Sequence, residues 1–191
     1  NGYIVACCDG RGTGFRGEQF KKCTYADLGH REYEDQLSFA RYLATLPYVD
    51  KSRIGIYGWS YGGFMALNCA LHGNGLFKMA IAVAPVTSWR YYDTIYTEIY
   101  NGLPQDNPKG YDDNSPINFA EGLSPRTSLL IIHGTGDDNV HFQNTVEMVR
   151  ALNRAGKQFD LAIYPDDNHS MVPAGRVHVR DRMVLYTLRN L

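Results

Sequence analysis

Arg53-Ile54-Gly55-Ile56-Tyr57-Gly58-Trp59-Ser60-Tyr61-Gly62-Gly63-Phe64-Met65-Ala66-Leu67-Asn68-Cys69-Ala70-Leu71 is the stretch on which the fold turns. The apolar run Arg53–Tyr57 predicts a strand, and Phe64–Leu71 predicts a helix. Between them, Gly58-x-Ser60-x-Gly62 has the spacing of a nucleophile elbow. That strand-to-helix turn is so tight that only small residues fit beside the serine, and Gly58, Gly62 and Gly63 supply them. The turn lifts the Ser60 hydroxyl above the sheet and aims the first helical amides at the same spot. The competing reading is a glycine-rich turn with an incidental serine. It gives no reason for strand, turn and helix to coincide, so a covalent hydrolase leads.

Strands and helices alternate outward from this point. Short apolar runs predict strands at Tyr3–Cys8, Arg53–Tyr57, Met79–Ala84, Ser128–His133 and Phe159–Tyr164. Continuous apolar runs suit strands covered on both faces. Helical spacing predicts helices over His30–Leu46, Phe142–Ala155 and His178–Asn190, with Gly156 placed to end the second of these. The expectation is an α/β fold, a mostly parallel sheet with helices on both faces. Gly102–Pro125, rich in Pro, Asn, Asp and Gly, reads as a long surface excursion. The 191 residues fit one domain, 1–191. Because the chain opens Asn1-Gly2-Tyr3, almost directly in a strand, it reads as a piece of a longer protein with the earliest strands of the sheet upstream.

Composition excludes several classes. The chain is 44% hydrophobic and 20% charged, with a net charge of −1. Nothing there attracts nucleic acid or an anionic membrane. No apolar run approaches the ~20 residues of a membrane span. The cysteines Cys7, Cys8, Cys23 and Cys69 show no metal-ligand spacing, and Cys69 reads as a small core residue. Gly12-Thr13-Gly14-Phe15-Arg16-Gly17 matches the pattern of a dinucleotide-binding loop. However, Glu18–Gly29 reads as polar and irregular, and the next strand ends in the elbow rather than in an acid. A tight loop at the carboxyl end of the first strand is the better reading.

A serine hydroxyl needs a base to take its proton, and a histidine base needs an acid to hold its tautomer. In an elbow-bearing fold the order is Ser, acid, His, each after its own strand. Ser128–His133 leads into Gly134-Thr135-Gly136-Asp137-Asp138-Asn139, so Asp137 and Asp138 both qualify, and either could instead cap the following helix. Phe159–Tyr164 leads into Pro165-Asp166-Asp167-Asn168-His169-Ser170, which makes His169 the base. His30 and His72 read as surface residues, His133 as a strand end able to orient the acid loop, His141 as cleft lining and His178 as the opening of the last helix. The backbone N–H of Tyr61 supplies one oxyanion donor. The second belongs to a loop after an earlier strand, upstream of residue 1.

These residues resemble the prolyl oligopeptidase family, most closely its dipeptidyl peptidase IV branch. The resemblance rests on Gly58-Trp59-Ser60-Tyr61-Gly62-Gly63, on Ala84-Pro85-Val86-Thr87-Ser88-Trp89-Arg90-Tyr91-Tyr92-Asp93 through Tyr96-Thr97-Glu98, and on Gly134-Thr135-Gly136-Asp137-Asp138-Asn139-Val140-His141-Phe142. Asp9-Gly10-Arg11-Gly12 also looks like the family's post-strand loop. The resemblance implies an α/β-hydrolase domain with Ser60 as nucleophile, Asp137 as acid and His169 as base, and no metal or cofactor. Trp89, Tyr92, Tyr96 and Tyr100 recur at helical spacing, which by itself suggests core packing. The resemblance instead makes Tyr61, Val86, Trp89, Tyr92, Tyr96 and Val140 the walls of a slot for proline or alanine, with the Asn139 amide on a substrate carbonyl.

The implied reaction releases N-terminal dipeptides after proline or alanine through an acyl-enzyme. The branch draws its second oxyanion donor from an upstream tyrosine. It binds the substrate amine with paired glutamates on an N-terminal β-propeller, in a homodimeric parent that is secreted, periplasmic or membrane-anchored. Residues 1–191 alone are therefore expected to be weakly active or inactive. The alternatives are a tripeptidyl or oligopeptidase relative, an esterase or lipase of the same fold, and a non-catalytic hydrolase-like interaction module.

Overall fold

The computed structural model describes residues 2–191. Four strands, β1 (Gly55–Trp59), β2 (Met79–Val83), β3 (Ser128–Gly134) and β4 (Asp160–Tyr164), pair in parallel in the order β1-β2-β3-β4. The helices are α1 (Glu18–Lys22), α2 (His30–Leu43), α3 (Tyr61–His72), α4 (Thr94–Asn101), α5 (Pro108–Asp112), α6 (Gln143–Arg154) and α7 (Pro173–Asn190), with 3-10 turns at Trp89–Tyr91 and Pro116–Gly122.

Strand side chains alternate between faces, and both faces of this sheet are apolar. Ala80, Ala82, Leu129 and Ile131 pack on Leu67 and Ala70 of α3 and on Met148 and Leu152 of α6. Met79, Ile81, Val83, Leu130 and Ile132 pack the other way, on Val179, Met183 and Tyr186 of α7. This two-sided cover explains why β2 and β3 read as unbroken apolar runs. Outside α3 lies α2, joined through Leu37, Ala40, Cys69 and Phe77. The end of α6 is a glycine stop. Gly156 has φ +66°, its N–H donates to the Asn153 carbonyl at 3.1 Å, and Lys157 N–H donates to the Leu152 carbonyl at 2.9 Å.

Several expectations are corrected. Tyr3–Cys8 is not a strand: it has no ladder partner among the described residues, and Ile4 and Val5 are 65% and 82% exposed. Strand preference depends on a pairing edge and a covering face, and this run has neither here. Glu18–Lys22 is a short helix rather than irregular chain. Gly102–Pro125 is only partly a surface excursion, because Tyr111, Ala120 and Leu123 are buried against the core. His72 is not a surface residue but stacks on Tyr33, with centroids 4.5 Å apart. The last helix begins at Pro173 rather than His178. Among the described residues no helix is long and apolar enough to cross a membrane.

Ile131 is fully buried between the sheet and the α3/α6 layer. Ile131→Ala is expected to cost about 2–5 kcal/mol of stability, seen as a lower urea midpoint at unchanged slope.

Candidate active site

A single residue, Ser60, separates β1 from α3. Its backbone sits at φ +60°, ψ −117°, a conformation that a side chain rarely adopts. Its neighbours enforce that strain. A Cβ on Gly58 would overlap the Gly62 carbonyl, and one on Gly63 would lie 2.7 Å from the Val83 carbonyl oxygen, whereas one on Gly62 would meet open space, so the expected need for a small residue fails there. The Ser60 N–H donates to that same Val83 oxygen at 2.8 Å, which ties the turn to the end of β2. Tyr61 opens α3, and its N–H has no acceptor among the described residues. A first-turn amide is free in this way in any helix, and here it lies beside the serine.

The candidate acid and base come from the loops after β3 and β4. His169 Nδ1 lies 2.8 Å from Asp137 Oδ2. Asp137 Oδ1 accepts the N–H groups of Asn139 and Val140 at 3.0 and 2.9 Å. The side chain of Asp137 is fully buried, whereas Asp138 is exposed. Burial acts to raise the Asp137 pKa, but hydrogen bonds from His133, His169 and the Asn139 N–H outweigh it and hold the carboxyl well below the usual range. The two loops are laced together. Thr135 N–H donates to the Tyr164 carbonyl at 2.9 Å, Gly136 N–H to the Asp167 carbonyl at 3.0 Å, and Asp166 N–H to Thr135 Oγ1 at 2.9 Å. A Cβ on Gly134 would overlap the Asp167 carbonyl, so glycine is needed for this approach.

No hydrogen bond joins Ser60 to His169 among the described residues. Their segments are tied instead by Trp59 Nε1–H, which donates to the His169 carbonyl at 3.0 Å. Contacts of this kind often tighten only when substrate is bound.

The remaining expected site residues converge beside the elbow. Val86, Trp89 and Val140 are buried in one cluster with Phe64, and Tyr61, Tyr92 and Tyr96 pack against it. The aromatic stripe is not one helix, as its spacing suggested. Trp89 is in a 3-10 turn, and Tyr96 is in α4, which restarts at the Asp93 cap. The rings still meet: Trp89 and Tyr96 stack at 6.1 Å, and Tyr92 meets Tyr96 edge-on at 5.2 Å. Tyr100 stands outside the cluster, tilted against Tyr96 with centroids 4.7 Å apart, and is 41% exposed. Burial pushes the Tyr96 phenol up to about 12. Tyr92 Oη donates to Asn139 Oδ1 at 2.7 Å, which leaves the Asn139 NH₂ group free to donate. A cleft of about 680 Å³ opens beside Tyr92, Asn139 and His141. It adjoins the slot and is not lined by Ser60 or His169.

Two contributors were not singled out from the sequence. Glu32 in α2 accepts the Tyr61 O–H at 2.8 Å and the Gly29 N–H at 3.0 Å, and its burial raises its pKa. Gly29-x-x-Glu32 carries a helix-start signal, but nothing local links Glu32 to Tyr61. The second is Thr145, paired with His133. Among the described residues no group of His, Cys, Asp or Glu could hold a metal ion.

Comparison with known proteins gives a consistent result. The model of the prolyl oligopeptidase family matches residues 1–191. The "Probable dipeptidyl-aminopeptidase B" of Trichophyton verrucosum is 49% identical over 172 residues, covering 89% of this chain and 19% of that protein. The protein of the same name in Sclerotinia sclerotiorum is 46% identical over 191 residues, covering 99% of this chain and 20% of that one. The crystal structure of Porphyromonas gingivalis dipeptidyl peptidase 4 superposes with a TM-score of 0.93 at 48% identity, covering 96% of this chain and 26% of that one. The chain thus spans about a fifth to a quarter of the length of these relatives.

The depressed pKa of Asp137 makes its stabilising effect pH-dependent. A carboxyl held below its unfolded value of ~4 stabilises fully above that pH, and the effect is lost progressively as pH falls from there through the lower folded value. Asp137→Asn is expected to lower stability by about 1.5–3 kcal/mol at pH 7. The gap between the two urea midpoints should narrow as the pH is taken from 7 towards 3.

Proposed function

Because this chain belongs to the prolyl oligopeptidase family, we propose that it carries the nucleophile, acid and base of a serine peptidase that releases N-terminal dipeptides after proline or alanine. The observation that carries this reading is the hydrogen bond from His169 Nδ1 to the buried Asp137 carboxylate. It fixes the ring so that Nε2 is left to act as the base towards Ser60. Ser60 Oγ attacks the peptide carbonyl while His169 Nε2 takes its proton. The oxyanion of the tetrahedral intermediate is received by the Tyr61 N–H. Collapse expels the amine, which takes the proton from His169, and leaves an acyl-Ser60 ester. Water, deprotonated by His169, then hydrolyses that ester.

The aromatic cluster supports the specificity. Tyr61 belongs to both halves of the site, since its amide follows the serine and its ring packs on Phe64 and Trp89. A slot walled by Tyr61, Val86, Trp89, Tyr92, Tyr96 and Val140 suits a flat apolar ring. Each buried CH₂ of that ring contributes about 0.8 kcal/mol. The free amide hydrogens of Asn139 suit the carbonyl of the preceding residue. The chain's span of about a fifth to a quarter of its relatives' length supports weak turnover by residues 1–191 alone. Removing one oxyanion donor costs about 10²–10³ in rate.

In the full-length protein, Ser60→Ala is expected to lower cleavage of a Gly-Pro chromogenic amide by at least about 10⁴-fold with the circular dichroism spectrum unchanged. Retained turnover ends the proposal. A fluorophosphonate probe should label Ser60, which an inert module would not allow. Simple acyl esters turned over in strong preference to prolyl amides would point to an esterase instead. Asn139→Ala should raise KM about tenfold with a smaller effect on kcat.

A further inference from the structure

His133 is fully buried at the end of β3, and both its ring nitrogens are engaged. Nε2 lies 3.1 Å from Asp137 Oδ2 and 2.9 Å from the Val140 carbonyl oxygen. Both partners accept only, so this nitrogen carries the hydrogen. Nδ1 lies 2.7 Å from Thr145 Oγ1, which has no other partner among the described residues, so the Thr145 O–H donates to it. The ring edge rests on Phe142, with centroids 5.6 Å apart. Asp137 Oδ2 is therefore shared by two imidazoles, one buried and one at the surface of the site.

We propose that His133 is a positioning residue for the peptidase reaction: by donating to Asp137 Oδ2 it fixes which carboxylate oxygen faces His169, and so fixes the tautomer of the base. Without that donor, Oδ2 is left with the mobile His169 ring as its one partner, and only the two backbone N–H groups on Oδ1 resist rotation about the terminal bond. Oδ2 then leaves the line to His169 Nδ1. Thr145 acts one step further out. Its O–H commits His133 Nδ1 to accept, and so keeps the hydrogen on Nε2. The charged and titratable groups facing the carboxylate are His133 from β3, His169 from the loop after β4, and Tyr92, whose pKa is raised first by burial and then by Asp93 and Asp137.

The proposal rests on the peptidase reading, and its test separates the two. Three variants of the full-length protein are compared. His133→Asn keeps a polar atom facing Thr145 and removes the donor to Asp137. His133→Gln places an amide donor near the lost Nε2. Thr145→Val keeps the shape and releases the tautomer. For cleavage of the Gly-Pro amide, His133→Asn is expected to lower kcat about 10–100-fold with KM nearly constant. His133→Gln should recover to within about threefold, and Thr145→Val should fall between the two. In a Ser60→Ala background, which needs no turnover, the low-field proton resonance of His169 Nδ1–H should be lost in His133→Asn and retained in His133→Gln. Equal impairment of Asn and Gln, or a rise in KM matching the fall in kcat, overturns the proposal in favour of simple packing. So does a resonance retained in both. Failure of the peptidase reading shows elsewhere, as an unsubstituted protein whose Ser60 no fluorophosphonate labels, and the resonance comparison still decides the role of His133.

Discussion

The close approach of Gly58 to Gly62 is the contact on which the rest of the site depends. With one residue between strand and helix, two turns of backbone must share a space that no side chain can enter. Ser60 is then held in a strained conformation, and the hydrogen bond to Val83 keeps it there. Strain of this kind persists only where surrounding structure over-determines it. Here β2 supplies the acceptor, and α3 is anchored by its fully buried Phe64, Leu67 and Cys69. The candidate nucleophile is thus placed by the core of the sheet rather than by a loop.

The opposite half of the site is built differently. Asp137 and His169 sit on loops, which lack the lateral hydrogen bonds of a sheet. Precision comes from lacing those loops to each other and from surrounding one carboxylate with four donors, two from the backbone and two from imidazoles. A buried charge is tolerable only when its acceptor capacity is met in this way. The aromatic slot adds a third construction. Its rings come from α3, a 3-10 turn, Tyr92 just after that turn, and α4, and they hold one another by tilted, stacked and edge-on contacts.

Legibility in the sequence followed the range of the interactions involved. The elbow was visible because its demands are local: Gly58, Ser60 and Gly62 lie within one turn. The buried strands were visible because two-sided cover leaves continuous apolar runs. Asp137 and Asp138 were not separable by spacing, since adjacent residues differ only in which way a loop faces. In the structure one is buried among donors and the other lies in water. Tyr3–Cys8 was misread because its composition suits a strand, while strand formation needs a partner edge that composition does not report. Trp89 to Tyr100 was read as one helical stripe. The Asp93 cap that interrupts it was present in the sequence but outweighed by the aromatic spacing. Glu32 was out of reach, because its bond to Tyr61 exists only once α2 has packed on α3.

Among the described residues, the Trp59 indole N–H, donating to the His169 carbonyl, joins the elbow segment directly to the histidine loop. The two segments also belong to one continuous parallel sheet. The indole bond uses neither the Ser60 hydroxyl nor the His169 ring. A substitution of either side chain therefore leaves the spacing of their backbones in place, so the gap between them is a property of the scaffold and not of the pair that faces across it.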